Sequence, residues 1–292
     1  MNQDDLVELR AGDTRLTLAP AIGGGVASLA WRGREILRPA NAAALAKGDP
    51  LGLANFPLVP FAGRITQGRF SFNGRDVILP VNLAGEVDAI HGQGWRLPWR
   101  LAGRTDKSAT LRLDHPAGDW PWTYQALQHF TVTEAGLVHA LSVTNQGSAP
   151  MPAGLGLHPY FPRDPDTWLE ADVDGVVLTP AGPPAPPPDA WDWRGGRRLT
   201  LPVDNQFSGW SGAAAIGWPS RGHKVTLWTS PAVSRLVVYA PAAGDIVCVE
   251  PVSHQLDAVN RSPGGAAHGM EILGAGQSLT LTAHFQISQF EG

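Results

Sequence analysis

The residues best suited to chemistry are two histidines and a glutamate, each next to an apolar run. His91 follows an apolar pair, His158 lies in the sequence GLHPYF, and Glu250 follows the apolar run 246–249. An imidazole, with an unperturbed pKa of ~6.5, can give or take a proton near neutral pH. A carboxyl group at a buried strand end can have its pKa raised into the range of a general base. With no nucleophile motif or multi-ligand metal motif beside them, these residues indicate a minimal proton-transfer site.

Each of these residues also has a structural interpretation, as does Arg64 at the end of the segment 55–64. A single histidine at a strand end is commonly a hydrogen-bonded structural residue, and a glutamate there commonly begins a surface loop. Their joint occurrence favours the acid–base interpretation. The chain also has 11 Trp, and an indole offers both an apolar face and an N–H donor to a sugar.

The elements that must position these residues are short strands separated by Gly, Pro, Asp and Asn. Asn73-Gly74 predicts a hairpin between 69–73 and 76–79. The other predicted strands are 6–10, 15–18, 26–31, 109–113, 124–133, 137–144, 169–178, 224–229, 235–239, 246–249 and 278–287. Helix is expected for at most a turn or two, near 41–47. The pattern predicts an all-β protein built as an antiparallel sandwich or barrel.

The Pro-rich segment 179–189, TPAGPPAPPPD, is the one candidate for a domain boundary. It has two interpretations, an extended linker between two domains or a long surface loop within one. Strand character is the same on both sides, and a large all-β domain of this length is normal. We therefore expect a single domain over residues 1–292.

Composition excludes several classes of protein. The formal charge is −4 without a basic run, which argues against nucleic acid as a partner. No stretch of ~18 apolar residues is present, so no membrane span is expected. The acidic, polar start MNQDDLVELR is unlike a signal peptide, and we expect a cytoplasmic protein. The single cysteine, Cys248, rules out an internal disulfide and a multi-Cys zinc site, and is expected to pack in the core.

Motifs around the candidate residues resemble those of the aldose 1-epimerases, or galactose mutarotases. The most specific are G-x-HPYF at 156–161 and Glu250-Pro251 followed by D-A-V-N at 257–260. Weaker ones are the segment 55–64 with Ile65, His91-Gly92 followed by Trp99, and D-N-Q-F at 204–207. Order and spacing agree from about residue 10 to residue 287. One departure is Gln93, which stands where the family usually has a second glycine.

The resemblance implies a large antiparallel β-supersandwich with very little helix and with its site on a concave face. It implies that Glu250 is the general base and His158 the general acid, with His91 able to share the acid role. It implies that Arg64 and Asp204 hold sugar hydroxyls. Asp257 and Asn260 are expected to shape the loop after the base rather than to contact substrate. No metal or organic cofactor is implied.

Two tryptophans are candidate sugar contacts. One is Trp95, which follows the His91-Gly92 pair. The other is Trp120 in the sequence WPW, which resembles an aromatic-Pro-aromatic turn of the family, although core packing explains Trp120 equally well.

The implied activity is interconversion of the α and β anomers of a free aldohexose, with galactose or glucose favoured, by a monomer or homodimer. A family branch that acts on hexose 6-phosphates tends to carry an arginine a few residues after HG. Trp95 occupies that place here, followed by Arg96, which favours a free sugar. Arg64, Arg69 and Arg96 nevertheless leave a phosphorylated sugar open.

Two further functions stay open from the sequence. A protein that binds sugar without turnover would not need both His158 and Glu250. The other is a glycoside hydrolase or polysaccharide lyase. A hydrolase would need two carboxylates across the scissile bond, for which Asp204 and Glu250 are the available pair.

Overall fold

Antiparallel strands account for most of the chain in the computed structural model, which describes residues 6–179, 182–231 and 233–290. The strands are β1 (Val7–Ala11), β2 (Thr14–Ala19), β3 (Gly25–Trp31), β4 (Arg34–Glu35), β5 (Pro57–Leu58), β6 (Arg64–Ile65), β7 (Arg69–Phe72), β8 (Arg75–Ile78), β9 (Ala89–Ile90), β10 (Arg100–Arg104), β11 (Ser108–His115), β12 (Tyr124–Thr133), β13 (Gly136–Asn145), β14 (Met151–Ala153), β15 (Gly156–Leu157), β16 (Tyr160–Pro162), β17 (Trp168–Ala171), β18 (Gly175–Val177), β19 (Arg197–Arg198), β20 (Val203–Ser208), β21 (Ala213–Trp218), β22 (His223–Ser230), β23 (Arg235–Ala240), β24 (Ile246–Val252), β25 (Glu271–Leu273) and β26 (Ser278–Gln289). The α-helices are α1 (Ala42–Lys47) and α2 (Ala258–Arg261), with a few short 3-10 turns between strands.

Two large sheets dominate the fold. The nine-stranded sheet has the order β10-β11-β12-β13-β26-β22-β21-β17-β19. The seven-stranded sheet has the order β18-β20-β23-β24-β15-β5, and β16 also pairs with β24. A four-stranded sheet, β1-β2-β3-β4, and three two-stranded ribbons complete the fold. The predicted all-β antiparallel class with very little helix is confirmed.

The main core contains apolar side chains from both large sheets. Along β13, burial alternates, because one face of the nine-stranded sheet packs on this core. In contrast, β24 is buried along its whole length. Val247 and Val249 point into the main core, whereas Ile246 and Cys248 belong to a second apolar cluster on the opposite face. Since Glu250 follows the alternation of Ile246 and Cys248, it lies on that second face.

The predictions for individual strands, turns and helices had different outcomes. The hairpin is confirmed, with Asn73 and Gly74 both in the left-handed region between β7 and β8. Helix α1 is also confirmed: the Asn41 side chain accepts a hydrogen bond from the Ala44 N–H, which caps the helix. The predicted strand 246–249 continues to Val252, so Glu250 lies inside a strand rather than at its end.

The predicted continuous strand 169–178 is wrong. It is two strands, β17 in the nine-stranded sheet and β18 in the seven-stranded sheet. Asp172 and Asp174, which are poor strand residues, flank the crossing between the sheets. Their backbones bond instead to the turn after β20, where the Asp174 N–H donates to the Ser208 carbonyl at 2.9 Å.

The Pro-rich segment joins parts of the same two sheets. Strands β17 and β18 precede it, and their partners β19 and β20 follow it. Within it, Ala185 forms a β-bridge with Val176, while residues 180 and 181 lie outside the described residues. Among the residues that the structure describes, no helix is long and apolar enough to cross a bilayer.

Candidate active site

Strand register brings His158 and Glu250 together. Strand β15 pairs with β24 through Gly156 and Val252, and β16 pairs with it through Tyr160 and Cys248. Both pairs keep one antiparallel register, so His158 falls opposite Glu250. Residues directly opposite in such a ladder have Cβ atoms ~4.5–5.5 Å apart, and their side chains share a face.

These two side chains lie at the wall of a cavity of about 650 Å³. Pockets of roughly 300–1,000 Å³ are typical of small-molecule sites. Most lining groups come from the exposed face of the seven-stranded sheet and from the loops around β6 and β9. Of the predicted site residues, the cavity brings together Glu250, His158, His91, Arg64, Asp204 and Trp95.

The His158–Glu250 pair is buried and close. His158 Nε2 lies 3.4 Å from Glu250 Oε1, and the side chains are only 11% and 3% exposed. Burial raises the pKa of Glu250 well above its ordinary value, the charge of Asp204 raises it further, and Arg64 opposes the rise. Burial lowers the pKa of His158 to about 3. These shifts favour a protonated Glu250 beside a neutral imidazole.

His91 is held by a strained backbone and a fixed tautomer. Its φ is +59°, in the left-handed region that is unfavourable for a side chain larger than glycine. Gly92 continues with φ +68°, and a Cβ there would lie 2.3 Å from the Val59 carbonyl oxygen. The Gly63 N–H donates to His91 Nδ1 at 3.0 Å. In a neutral ring the proton is then on Nε2, so His91 can donate a hydrogen bond from that atom. Burial lowers the pKa of His91 well below the usual value, which favours the neutral ring.

Aromatic rings line the cavity beside the histidines. Phe56 lies 4.6 Å from the His158 ring and 5.4 Å from Trp95, measured between ring centroids. Tyr160 stacks on His158 at 4.7 Å and lies 6.0 Å from Phe56. The Trp95 N–H donates to the Gly92 carbonyl at 3.1 Å, so its indole is fixed in place. These rings exclude water from the acid–base pair and offer apolar surface to a sugar.

Arg64 reaches the cavity as one half of an ion pair. Its Nη2 lies 3.0 Å from Glu86 Oε1, and its Nε donates to Glu86 Oε2 at 3.4 Å. This contact raises the pKa of Arg64, although burial acts in the opposite direction. Asp204 lies on β20 opposite Tyr239 of β23 and is exposed at the cavity.

Trp120 does not line this cavity, which corrects its prediction as a sugar contact. It is fully buried in the main core, with ring centroids 5.7 Å from Phe61, 5.6 Å from Phe70 and 5.1 Å from Trp122. The aromatic-Pro-aromatic turn thus packs against the 61–70 segment behind the site. The environment of Trp120 is that of a core residue, which was the other interpretation of its sequence.

The loop after the base is organised by the residues expected to shape it. Asp257 Oδ1 accepts from the Thr66 N–H at 3.1 Å, and its Oδ2 accepts from the Thr66 hydroxyl at 2.7 Å. Asn260 Nδ2 donates to Asp257 Oδ1 at 2.8 Å. Neither residue lines the cavity, and both hold the chain next to Arg64.

Sequence reasoning missed several residues of the lining, among them Phe56, Glu86, Gln206 and Tyr239. Phe56 lies within the noted segment 55–64, but only its position relative to His158 reveals its contact. Gln206 and Tyr239 share a face with Asp204 and Glu250, as the alternation along β20, β23 and β24 shows. Glu86 lies in a polar loop with no periodic signal, so its pairing with Arg64 has no sequence signature.

Cys248 adds a thiol to the acid–base pair. One ligand atom from each of His158, Cys248 and Glu250 lies within 4.8 Å of the others. Zn²⁺ takes all three ligand types, and it binds them deprotonated. Burial raises the pKa of the Cys248 thiol well above its usual value, which keeps the thiol protonated. Cys248 packs beside the acid–base pair as a small apolar residue.

Comparison with known proteins agrees over nearly the whole chain. The sequence model of a family described as "Aldose 1-epimerase" matches residues 5–286. The uncharacterised protein YphB of Escherichia coli (strain K12) is 34% identical over 267 residues, which cover 83% of this chain and 86% of YphB.

Solved structures have the same fold. A candidate aldose 1-epimerase from Escherichia coli K12 superimposes with a TM-score of 0.88 at 29% identity, covering 98% of this chain and 99% of its own. A galactose 1-epimerase from Lactobacillus acidophilus NCFM has a TM-score of 0.78 at 18% identity, covering 100% of this chain and 97% of its own, and so supports the fold alone.

Proposed function

Because the chain belongs to the aldose 1-epimerase family, we propose that it interconverts the α and β anomers of a free aldohexose. The observation that carries the proposal is the buried His158–Glu250 pair, 3.4 Å apart at a cavity of sugar size. The two oxygens that exchange protons in this reaction, O1 and the ring oxygen O5, are attached to one carbon. An acid and a base that serve them must therefore be close neighbours.

The proposed reaction moves two protons and opens one bond. Glu250 takes the proton of the O1 hydroxyl while His158 protonates O5, and the C1–O5 bond breaks to give the free aldehyde. Rotation about the C1–C2 bond turns the other face of the carbonyl toward O5. Attack by O5 then closes the ring, as the O5 proton returns to His158 and Glu250 returns its proton to O1. Each positioned acid or base typically contributes about 10²–10⁴-fold to the rate.

The acid–base pair alternates between two forms during this cycle. Closed sugar reacts with ionised Glu250 and protonated His158, whereas open sugar lies against protonated Glu250 and neutral His158. The pKa directions favour the second form in the empty site. Hydrogen bonds from sugar hydroxyls stabilise the carboxylate and shift the pair toward the first. The rate should show a bell-shaped dependence on pH. Its two apparent pKa values should describe the His158–Glu250 pair rather than either residue alone.

A free sugar fits better than a phosphorylated one. Of the arginines that left a phosphorylated sugar open, Arg96 is exposed, hydrogen-bonds to the Asn82 carbonyl and does not line the cavity. Arg69 lies in a separate groove with Asn260. His91, as an Nε2 donor, and Asp204, as an acceptor, would hold hydroxyl groups, and Trp95 would face the apolar side of the ring.

A hydrolase is less well supported. The close partner of Glu250 is a histidine rather than a second carboxylate. Asp204 lies on β20, which is separated from β24 by β23, and neighbouring strands are about 4.8 Å apart. At that distance the charge of Asp204 still raises the pKa of Glu250.

The experiment that tests the proposal is anomer-resolved NMR on freshly dissolved α-D-galactose and α-D-glucose. We expect the H1 signal of the β anomer to grow faster in proportion to protein concentration, relative to buffer alone. Equilibrium proportions of the anomers should stay the same. Equal rates with and without protein for both sugars would contradict the proposal for these aldohexoses.

A further inference from the structure

We propose that Glu86 determines which charge class of sugar this site accepts: by pairing with Arg64, it makes the cavity select uncharged sugars and reject phosphorylated or carboxylated ones. The inference rests on the proposed function, because it concerns the substrate of the same cavity.

The Arg64–Glu86 contact occupies two nitrogens of one guanidinium. Both carboxylate oxygens of Glu86 take part, at 3.0 and 3.4 Å. Strand β6 places Arg64 opposite Ile90, the residue before His91, so the guanidinium is anchored beside the candidate catalytic groups. This two-point geometry is the one that a phosphate or carboxylate of a ligand would need from Arg64. Glu86 therefore occupies the place of an anionic substrate group.

The charges around Arg64 are predominantly negative. Among the described residues that line the cavity, the carboxyl side chains are Glu86, Asp88, Asp204 and Glu250, and Arg64 is the only Lys or Arg. Asp88 accepts a hydrogen bond from the Gln67 N–H at 2.8 Å, and its charge acts on Arg64 without the two-point contact that Glu86 makes. An anionic sugar would have to displace Glu86 from Arg64 and would still meet the carboxylates of Asp88 and Asp204. A neutral sugar meets the same groups as hydrogen-bond acceptors.

The pair is partly exposed, with side chains 39% and 28% accessible. Ion pairs at this level of exposure contribute little to folding. Substitution of Glu86 should therefore change the charge preference of the site without unfolding the protein.

The test compares Glu86→Gln with the matched variant Asp88→Asn. Both remove one negative charge from the cavity lining, but only the first releases Arg64. Anomerisation of glucose, glucose 6-phosphate and glucuronate is measured by NMR, together with affinity for each sugar by calorimetry. For Glu86→Gln we expect the ratio of kcat/KM for the anionic sugars to that for glucose to rise at least about tenfold, mainly through KM, and to shrink again at high salt. For Asp88→Asn we expect a much smaller change.

The outcomes separate the two proposals. Unchanged sugar preference in Glu86→Gln, or a wild-type protein that already prefers the anionic sugars, would overturn the role of Glu86. An equal gain in Asp88→Asn would overturn it too, because it would indicate overall charge rather than release of Arg64. If wild type turns over no sugar but binds glucose, and only Glu86→Gln gains affinity for glucose 6-phosphate, the proposed reaction fails and the role of Glu86 stands. Absence of binding by every sugar to every variant would overturn both.

Discussion

His158 and His139 are both deeply buried, and burial lowers the pKa of each to about 3, yet their surroundings differ in kind. His139 lies on β13 and uses both ring nitrogens within the protein: Nε2 is 2.9 Å from Gln128 Oε1, and Nδ1 is 3.5 Å from Asn55 Nδ2. His158 borders a cavity, where its Nδ1 has no hydrogen-bond partner and its Nε2 faces Glu250.

The difference teaches how to separate structural from chemical histidines. Burial and a lowered pKa do not distinguish them, since both residues have both properties. An unpartnered ring nitrogen together with a place at the cavity does: His115 Nδ1 and His223 Nε2 also lack a partner, but neither residue lines the cavity. His254 supports the rule: its Nε2 accepts from the Ala62 N–H, and its Nδ1 lies 2.9 Å from the Gln255 carbonyl oxygen, so its hydrogen bonds are complete within the fold. Such a ring has no nitrogen left for a substrate.

The largest expected effect is that of Glu250→Gln. The amide keeps the shape of the side chain but cannot take the O1 proton, so kcat should fall by about 10²–10⁴-fold. Cys248→Ala is the matched control, because it lies on the same face of β24 and holds no proton that the reaction uses; its kcat should stay near that of wild type. The measurement is anomerisation of α-D-galactose and α-D-glucose by NMR. Near-normal turnover in Glu250→Gln would remove Glu250 as the base.

The next effect is that of His158→Asn. We expect kcat to fall by about 10²–10³-fold, because the acid is lost. The free energy of unfolding should change by less than about 1 kcal/mol, since the substitution breaks no complete hydrogen-bond pair. The rate of anomerisation and the free energy of unfolding in urea, measured on one preparation, give both quantities. A strongly destabilised but active variant would assign His158 to the structural class.

The opposite result is expected for His139→Leu. The change leaves the buried Gln128 Oε1 without its hydrogen-bond donor and should lower the free energy of unfolding by about 1–3 kcal/mol. Molecules that remain folded should keep kcat close to that of wild type, because His139 does not line the cavity. Urea denaturation and turnover at a temperature where the variant stays folded measure the two effects. Loss of activity with unchanged stability would break the distinction between the two histidines.

The smallest expected effect is the dependence of stability on pH. His139 has a pKa of about 3 and His254 of about 4 in the folded state, against ~6.5 in the unfolded chain. Their stabilising contribution is full above pH ~6.5 and declines as pH falls toward the folded values, because the unfolded chain binds protons first. Each should contribute a slope of up to about 1.4 kcal/mol per pH unit below ~6.5. Denaturation at pH 7.5 and 5.5 measures it, and the drop should be smaller in His139→Leu than in wild type.

The sequence predicted the proton-transfer residues of the site better than it predicted which other side chains line the cavity. His158, Glu250 and His91 were identifiable because proton-transfer residues interrupt apolar strands, and the family motifs mark the same positions. Trp95 and Trp120 could not be separated, since both are tryptophans near turns and only packing puts one at the cavity and the other in the core. Glu86 was missed for a related reason: its contact with Arg64 joins a loop to strand β6, and no local pattern relates the two.

The fold itself was predictable as a class, but not in its connections. Alternation located β12 precisely and most long strands within a residue or two. It could not show that 169–178 crosses between sheets, nor which strands pair. That β15 and β16 both flank β24 depends on contacts between positions about ninety residues apart, which local propensity does not encode.

The shared register of His158 and Glu250 has a consequence for what the site can evolve to do. Neighbouring strands are held about 4.8 Å apart by backbone hydrogen bonds, and that spacing is a constant of β-structure. His158 lies in the two-residue gap between β15 and β16, and both strands pair with β24, so these pairings set the reach between proton donor and proton acceptor. New substrates can be admitted by changing the rim of the cavity, but reactions whose two proton-exchanging atoms are far apart lie beyond this pair unless the ladder itself is rebuilt.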